Sequence, residues 1–174
     1  MTRAFEHVVT ERLLLRALRE TDLEVMYAIH ADPETNRYHP GGLSPTPTLD
    51  AARARLDLWL GDWAGRGVGY WAVERREAPG VVIGFGGVRH RELEGQQVLN
   101  LAYRFTPSAW GAGYATELAR EALSLAGTHI PDVPVVAIIS VANAPSLRVA
   151  ERLGMRFDRL IDYEGFPSRV YLSR

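Results

Sequence analysis

The segment of this 174-residue chain best suited to chemistry is Trp110-Gly111-Ala112-Gly113-Tyr114-Ala115-Thr116-Glu117, which lies between a predicted strand and a predicted helix. Glycine admits positive φ and lets a ligand approach the backbone. The first turn of the following helix offers N–H groups without intrahelical partners at the positive end of its dipole. Such a segment can cradle an anion, a pyrophosphate in particular, with backbone rather than side chains. The same glycines also suit an ordinary strand-to-helix turn. Two nucleotide motifs are excluded: G-x-x-x-x-G-K-[ST] is absent, and Thr116 stands where a dinucleotide fingerprint needs its third glycine.

Other chemistries find less support. His7, His30, His39, His90 and His129 form no H-E-x-x-H and are expected on the surface or in loops, so no metal centre is indicated. No G-x-S-x-G is present. With zero cysteines, disulfides, thiolate zinc sites and a cysteine nucleophile are all ruled out. Twenty Lys plus Arg against 21 Asp plus Glu leave a net charge of -1, so neither nucleic acid nor a membrane surface is the expected partner. Charges at Arg3, Glu6, Glu11, Arg12 and Arg16 interrupt any signal-peptide core, and a cytoplasmic location is expected. The length suits a single domain over residues 1–174, with 47% apolar and 24% charged residues in ordinary globular proportion.

The elements that must position the glycine segment are legible from periodicity. Leu13 to Ala17 reads as a first strand, and Thr21-Asp22-Leu23-Glu24 has capping-box spacing for a helix running to about Ala31. The Pro40 to Pro47 stretch reads as a loop, and Thr48 caps a second helix that Gly65 and Gly67 end. Tyr70 to Val73 and Val81 to Val88 predict a hairpin turning at Ala78-Pro79-Gly80, and a turn around Glu94-Gly95-Gln96 leads into a third strand, Val98 to Phe105. Ala115, Leu118, Ala119, Ala122, Leu123 and Ala126 stripe a third helix closing near Gly127. Pro134 to Val141 is a buried strand, Ala144 to Leu153 a fourth helix, and Phe157 to Tyr163 and Arg169 to Leu172 are closing strands. The order is β-α-α-β-β-β-α-β-α-β-β, an α/β fold with a mixed, largely antiparallel sheet and helices on its faces. Trp59, Trp63, Trp71 and Trp110 are expected in the core or on its ridges.

Trp110 to Glu117 resembles the acyl-CoA motif of the GNAT N-acetyltransferases, in the W-G-x-G-Y-A-T-E form of the branch similar to the RimJ/RimL ribosomal-protein N-terminal acetyltransferases. Thr10-Glu11-Arg12-Leu13-Leu14-Leu15-Arg16, Ile83-Gly84-Phe85-Gly86-Gly87, and Asn143-Ala144-Pro145-Ser146 leading to Glu151-Arg152-Leu153-Gly154-Met155 match the family in order and spacing over nearly the whole chain. The resemblance implies acetyl-CoA as cosubstrate, bound where the strand ending at Phe105 splays from that ending near Val141. The backbone N–H groups of Gly111, Ala112, Gly113, Tyr114, Ala115 and Thr116 would hold the pyrophosphate, with Trp110 and Ser146 also touching the cosubstrate. Tyr103, Arg104 and Phe105 would pair with the pantetheine arm, and Asn143 would hydrogen-bond it near the thioester. The implied partners are acetyl-CoA and a primary amine, whether a peptide or protein N-terminus or a small amino compound, with a homodimer left open. No metal is required.

The chain departs from the family pattern at three positions. Ala150 replaces the tyrosine that many members use as proton donor, and Ser146 is the substitute implied by the branch, although a hydroxyl there also suits a helix cap. Asn100 replaces a frequent strand carboxylate, so no general base is assigned, and His90, Glu92 and Glu94 read as solvated turn residues. Ala112 stands where a lysine is frequent. Tyr38 and His39, in the loop after the first helix, are the expected acceptor contacts. A non-catalytic acyl-CoA-binding sensor or interaction domain is the alternative.

Overall fold

Glycine turns and β-branched runs divide the chain into eight strands and four helices in the computed structural model, which describes residues 3–39 and 44–173. In chain order these are β1 (His7–Val9), β2 (Leu13–Arg16), α1 (Leu23–Ala31), α2 (Leu49–Arg66), β3 (Tyr70–Arg75), β4 (Ala78–Leu93), β5 (Gln96–Phe105), α3 (Tyr114–His129), β6 (Val135–Ser140), α4 (Ala144–Arg152), β7 (Arg156–Tyr163) and β8 (Phe166–Leu172). They form one sheet in the order β1-β2-β3-β4-β5-β6-β8-β7. Every neighbouring pair is antiparallel except β5 and β6.

That parallel pair creates the cleft. β5 and β6 share register at Leu99↔Val135 and Asn100↔Val136 only, after which β6 continues along β8 from Val136↔Leu172 to Ser140↔Ser168. Beyond Asn100, the β6-facing edge of β5 therefore carries no ladder, while its other edge stays paired with β4 through Gly84↔Phe105. Gly86 allows the close approach on that paired side, because a Cβ there would lie 2.7 Å from the Ala102 carbonyl oxygen and from Tyr103 Cα.

Side-chain alternation then assigns the two faces of β5. Asn100 and Arg104 reach Tyr70 and Asn36 on the face covered by α1 and α2. Phe105 meets Tyr114 of α3 on the opposite face, with ring centroids 6.3 Å apart. Leu118, Ala119, Ala122 and Ala126 bury the predicted stripe of α3, and Trp71, Phe5, Phe85, Leu13, Leu15, Leu56 and Leu99 fill the core. Thr48 Oγ1 accepts the Ala51 N–H at 3.1 Å, and Gly67 takes the left-handed conformation that ends α2 (φ 69°).

Several local expectations are corrected. β1 was not foreseen, because three residues are too short to show alternation. The first hairpin turns at Arg76 and Glu77, and Pro79 to Val81 form a bulge between Arg75↔Ala78 and Glu74↔Val82. The Thr21 capping box does not form. Asp22 instead accepts from the Arg19 N–H (2.8 Å) and from both terminal nitrogens of Arg16, whose Nε binds Glu74 at 2.7 Å. Thr21 lies inside a short 3-10 turn, Glu20–Asp22, so it does not stand at the N-terminus of α1, and the same Asp22 carboxylate closes that turn and holds Arg16. α3 runs through Gly127 to His129. Of the Pro40 to Pro47 stretch, residues 40–43 lie outside the described residues.

Candidate active site

Gly111 (φ 78°) and Gly113 (φ 82°) are both left-handed and turn the chain into α3. At the start of α3 the Glu117 N–H donates to the Gly113 carbonyl at 3.1 Å, so the N–H groups of Tyr114, Ala115 and Thr116 lie ahead of that bond. No side chain caps them among the described residues. The turn is fastened from the opposite end of the chain. Glu117 accepts from Thr10 Oγ1 (2.6 Å), the Arg12 N–H (2.8 Å) and Arg12 Nε (2.7 Å), and Arg12 Nη1 donates to the Ala112 carbonyl at 2.7 Å. Burial pushes the Glu117 carboxyl up, but the Thr10 and Arg12 donors together hold it below its ordinary value. The opening T-E-R motif and the glycine motif are therefore two halves of one clamp.

A cavity of about 540 Å3 opens in front of this helix end. All the residues expected to touch the cosubstrate line it except Ala112, which is exposed and turns its carbonyl to Arg12. Tyr38 joins the lining. His39 does not, and its ring instead meets Phe166 edge-on at 5.4 Å. Trp110 is 42% exposed on the cavity wall rather than in the core, its indole N–H donating to the Phe105 carbonyl at 2.9 Å. A second cavity of about 130 Å3 occupies the splay between β5 and β6 and shares Tyr103, Asn143 and Ser146 with the first.

Where these cavities meet, Asn143 is the N-cap of α4, its Oδ1 accepting the Ser146 N–H at 3.2 Å. The capping role considered for the Ser146 hydroxyl is thus filled by Asn143. Burial pushes the Tyr103 phenol up, and the side chain of Ser146 set against it pulls the other way. Ala150 is buried.

On the α1 and α2 side, Asn36 Oδ1 accepts from Arg104 Nη1 at 2.7 Å while its Nδ2 binds the His30 and Asp32 carbonyls, both at 2.8 Å. Asn100, at the vertex of the splay, donates to the Tyr70 hydroxyl at 2.7 Å. His30 was expected on the surface and is instead 4% exposed, packed against Trp59 and Phe85 with Nδ1–H donating to the Met26 carbonyl. Met26 and Ile29 precede it at core spacing, a signal available in the sequence.

Burial, reinforced by Arg104 and Arg55, pushes His30 from 6.5 down to about 3. The folded state thus keeps His30 neutral where the unfolded chain takes up a proton, so stability present above pH 6.5 is lost as pH falls toward 3. The free energy of unfolding measured between pH 7 and 5 should fall by up to ~1.4 kcal/mol per unit, and His30→Phe should flatten that slope. Equal slopes in both proteins would place His30 in contact with water.

Arg37, Arg148 and Arg152 line the large cavity and were missed by sequence reading. Arg148 and Arg152 are four apart on α4 and so share a face, with Arg152 Nη1 reaching Thr116 Oγ1 at 3.3 Å. Among the described residues no group of three or more His, Asp or Glu is placed to hold a metal ion, and no helix is long and apolar enough to cross a membrane.

A family model described as an acetyltransferase (GNAT) domain matches residues 12–156. YkkB of Bacillus subtilis strain 168, an uncharacterised protein, is 29% identical over 170 residues, covering 94% of this chain and 93% of that one. The crystal structure of an acetyltransferase from Agrobacterium tumefaciens has a TM-score of 0.81 and 27% identity over 98% of this chain and 95% of that one. RimL, a ribosomal-protein alpha-N acetyltransferase solved with coenzyme A, has a TM-score of 0.71 and 16% identity over 96% of this chain and 97% of that one, a likeness of fold. The matched residues take in the glycine turn, the open edge of β5 and the whole of α4, and the chain belongs to the GNAT family of acetyltransferases.

Proposed function

We propose that the protein transfers an acetyl group from acetyl-CoA to a primary amine, on a peptide or protein N-terminus or a small amino compound. One observation carries this reading: an uncapped helix start and an unladdered strand edge open onto a single cavity and converge on Asn143 and Ser146. The N–H groups at the start of α3, with Arg148 and Arg152 beside them, suit the pyrophosphate. The open backbone of Tyr103 to Phe105 suits the amide-bearing pantetheine arm, and RimL was solved with coenzyme A.

In the reaction the amine nitrogen forms a bond to the thioester carbonyl carbon, and the C–S bond breaks. The nitrogen releases its proton to water, the departing thiolate takes one from the Ser146 hydroxyl, Tyr103 beside it resupplies the serine, and water returns a proton to the phenol. No carboxylate lines the large cavity among the described residues. The amine must therefore lose its own proton, which an α-amine with a pKa of about 8 does readily near neutrality.

Calorimetry with CoA, followed by a CoA-release assay over amines, peptides and aminoglycosides, tests this. We expect one CoA per chain, a raised melting temperature and release that depends on the acceptor. Binding without release would favour the non-catalytic acyl-CoA-binding alternative, and absence of binding would end both readings.

A further inference from the structure

The large cavity is lined by four arginines and, among the described residues, by no aspartate or glutamate. These arginines fall into two groups. Arg148 and Arg152 stand at the α3 and α4 end beside Thr116, where the reading above puts phosphates. Arg37 and Arg104 stand on the α1 and α2 side with Tyr38, and the phosphates leave this second group unmatched.

Arg104 makes the stronger case. Its guanidinium is held by a neutral partner, Asn36 Oδ1 at 2.7 Å, and it joins no ion pair among the described residues. Burial, compounded by the nearby charge of Arg55, pushes it down to about 10. Arg55 adds to the imbalance, because Nε donates to Thr46 Oγ1 (3.0 Å) and its guanidinium lies over the Trp59 ring at 5.5 Å, again without a carboxylate. Glu164 is the acidic group that acts on Arg55 and His39, and the adjoining residues outside the described set, Pro40, Gly41, Gly42 and Leu43, bring no acid side chain. A buried cation without a counter-ion costs stability that an uncharged residue would not. An anion supplied by the ligand would offset this cost, and the planar guanidinium matches a carboxylate's two oxygens.

We infer that Arg104, with Arg37 on the same cavity wall and the charge of Arg55 nearby, receives a carboxylate carried by the acceptor, so that the substrate class is amines bearing a carboxylate rather than polyamines. This rests on the acetyl-transfer reading, and CoA calorimetry on each protein keeps the two apart. The test compares kcat/KM for matched pairs, amino acids and short acidic peptides against their carboxamides, with phosphoethanolamine and spermidine alongside. In the wild type the free carboxylates should lead their amides by roughly 10- to 100-fold, and spermidine should be poorest.

Arg104→Met should erase that preference to within about two-fold, while Arg104→Lys should keep part of it; because position 104 also adjoins the pantetheine arm, any change in acetyl-CoA KM should be the same with acid and amide acceptors. Arg37→Ala, at an exposed position where folding is not at stake, should weaken the preference without removing it. Amides equal to acids, spermidine or phosphoethanolamine ahead of the carboxylates, or a preference that survives Arg104→Met would each overturn the inference while CoA binding stands. So would CoA binding with no carboxylate-bearing amine acetylated. Loss of CoA binding in the wild type would overturn the parent reading and this one together.

Discussion

Replacing Gly113 by glutamate should reduce CoA affinity more than 100-fold in a protein that still folds. Gly113 takes φ 82° where α3 begins, and the helix-start N–H groups leave room there for a ligand's oxygens. A Cβ at this position would lie 3.5 Å from Arg12 Nη2, an ordinary contact, so space for the first atom is not the obstacle. The backbone conformation costs an L-residue roughly 1–2 kcal/mol, which a protein of this size can tolerate. What binding does not survive is a carboxylate at the positive end of the helix, where it takes the anion's place and repels the phosphates. Gly113→Ala separates the two effects. It carries the same backbone strain without the charge that favours a helix start, so its denaturant midpoint should be no higher than that of Gly113→Glu while its CoA affinity falls far less. A folded Gly113→Glu protein with unchanged affinity would remove the cradle from the site.

The contrast between what sequence reading found and what it missed follows the range of the interactions. The glycine turn was legible because a turn is a matter of backbone conformation, which Gly111 and Gly113 declare locally. Thr48 and Gly67 were legible for the same reason. The Thr21 cap failed because Thr21 falls inside the 3-10 turn Glu20–Asp22, whose Asp22 carboxylate is held by Arg16, itself bound to Glu74 58 positions away in the chain. No local pattern carries that competition. The clamp of Thr10 and Arg12 on Glu117 was visible as two motifs but not as one contact, since more than a hundred residues separate them. Arg148 and Arg152 show the intermediate case: their four-residue spacing put them on one face of α4, but only the packing of α4 beside α3 turns that face to the cavity. Tyr103 was read for its backbone, and its phenol became visible only when β5 and α4 were brought together. The acceptor side was least legible, because His30, Asn36, Arg55 and Arg104 come from three elements and a turn and meet only in the fold.

Ser146→Ala should lower kcat by ~10- to 1,000-fold and leave CoA affinity nearly unchanged. The CoA thiol has a pKa of about 8.5, like cysteine, so the thiolate can leave without complete protonation and the loss is partial. A hydroxyl that merely capped α4 would behave differently, costing about 1 kcal/mol of stability with turnover preserved. The structure sharpens this distinction. The cap is Asn143 Oδ1 accepting the backbone N–H of residue 146, a bond that alanine keeps. Ser146→Ala should therefore lower the free energy of unfolding by less than ~0.5 kcal/mol, whereas Asn143→Ala should cost about 1 kcal/mol. Tyr103→Phe completes the set. If Ser146 passes a proton that Tyr103 resupplies, the phenol's removal should slow turnover less than loss of the serine, because water can replace a resupplying group more easily than the donor itself. The double variant should then be no slower than Ser146→Ala alone, since two groups acting in series are not additive. Full turnover in Ser146→Ala with an unchanged midpoint would assign the proton to water. A double variant much slower than either single change would make Tyr103 an independent donor.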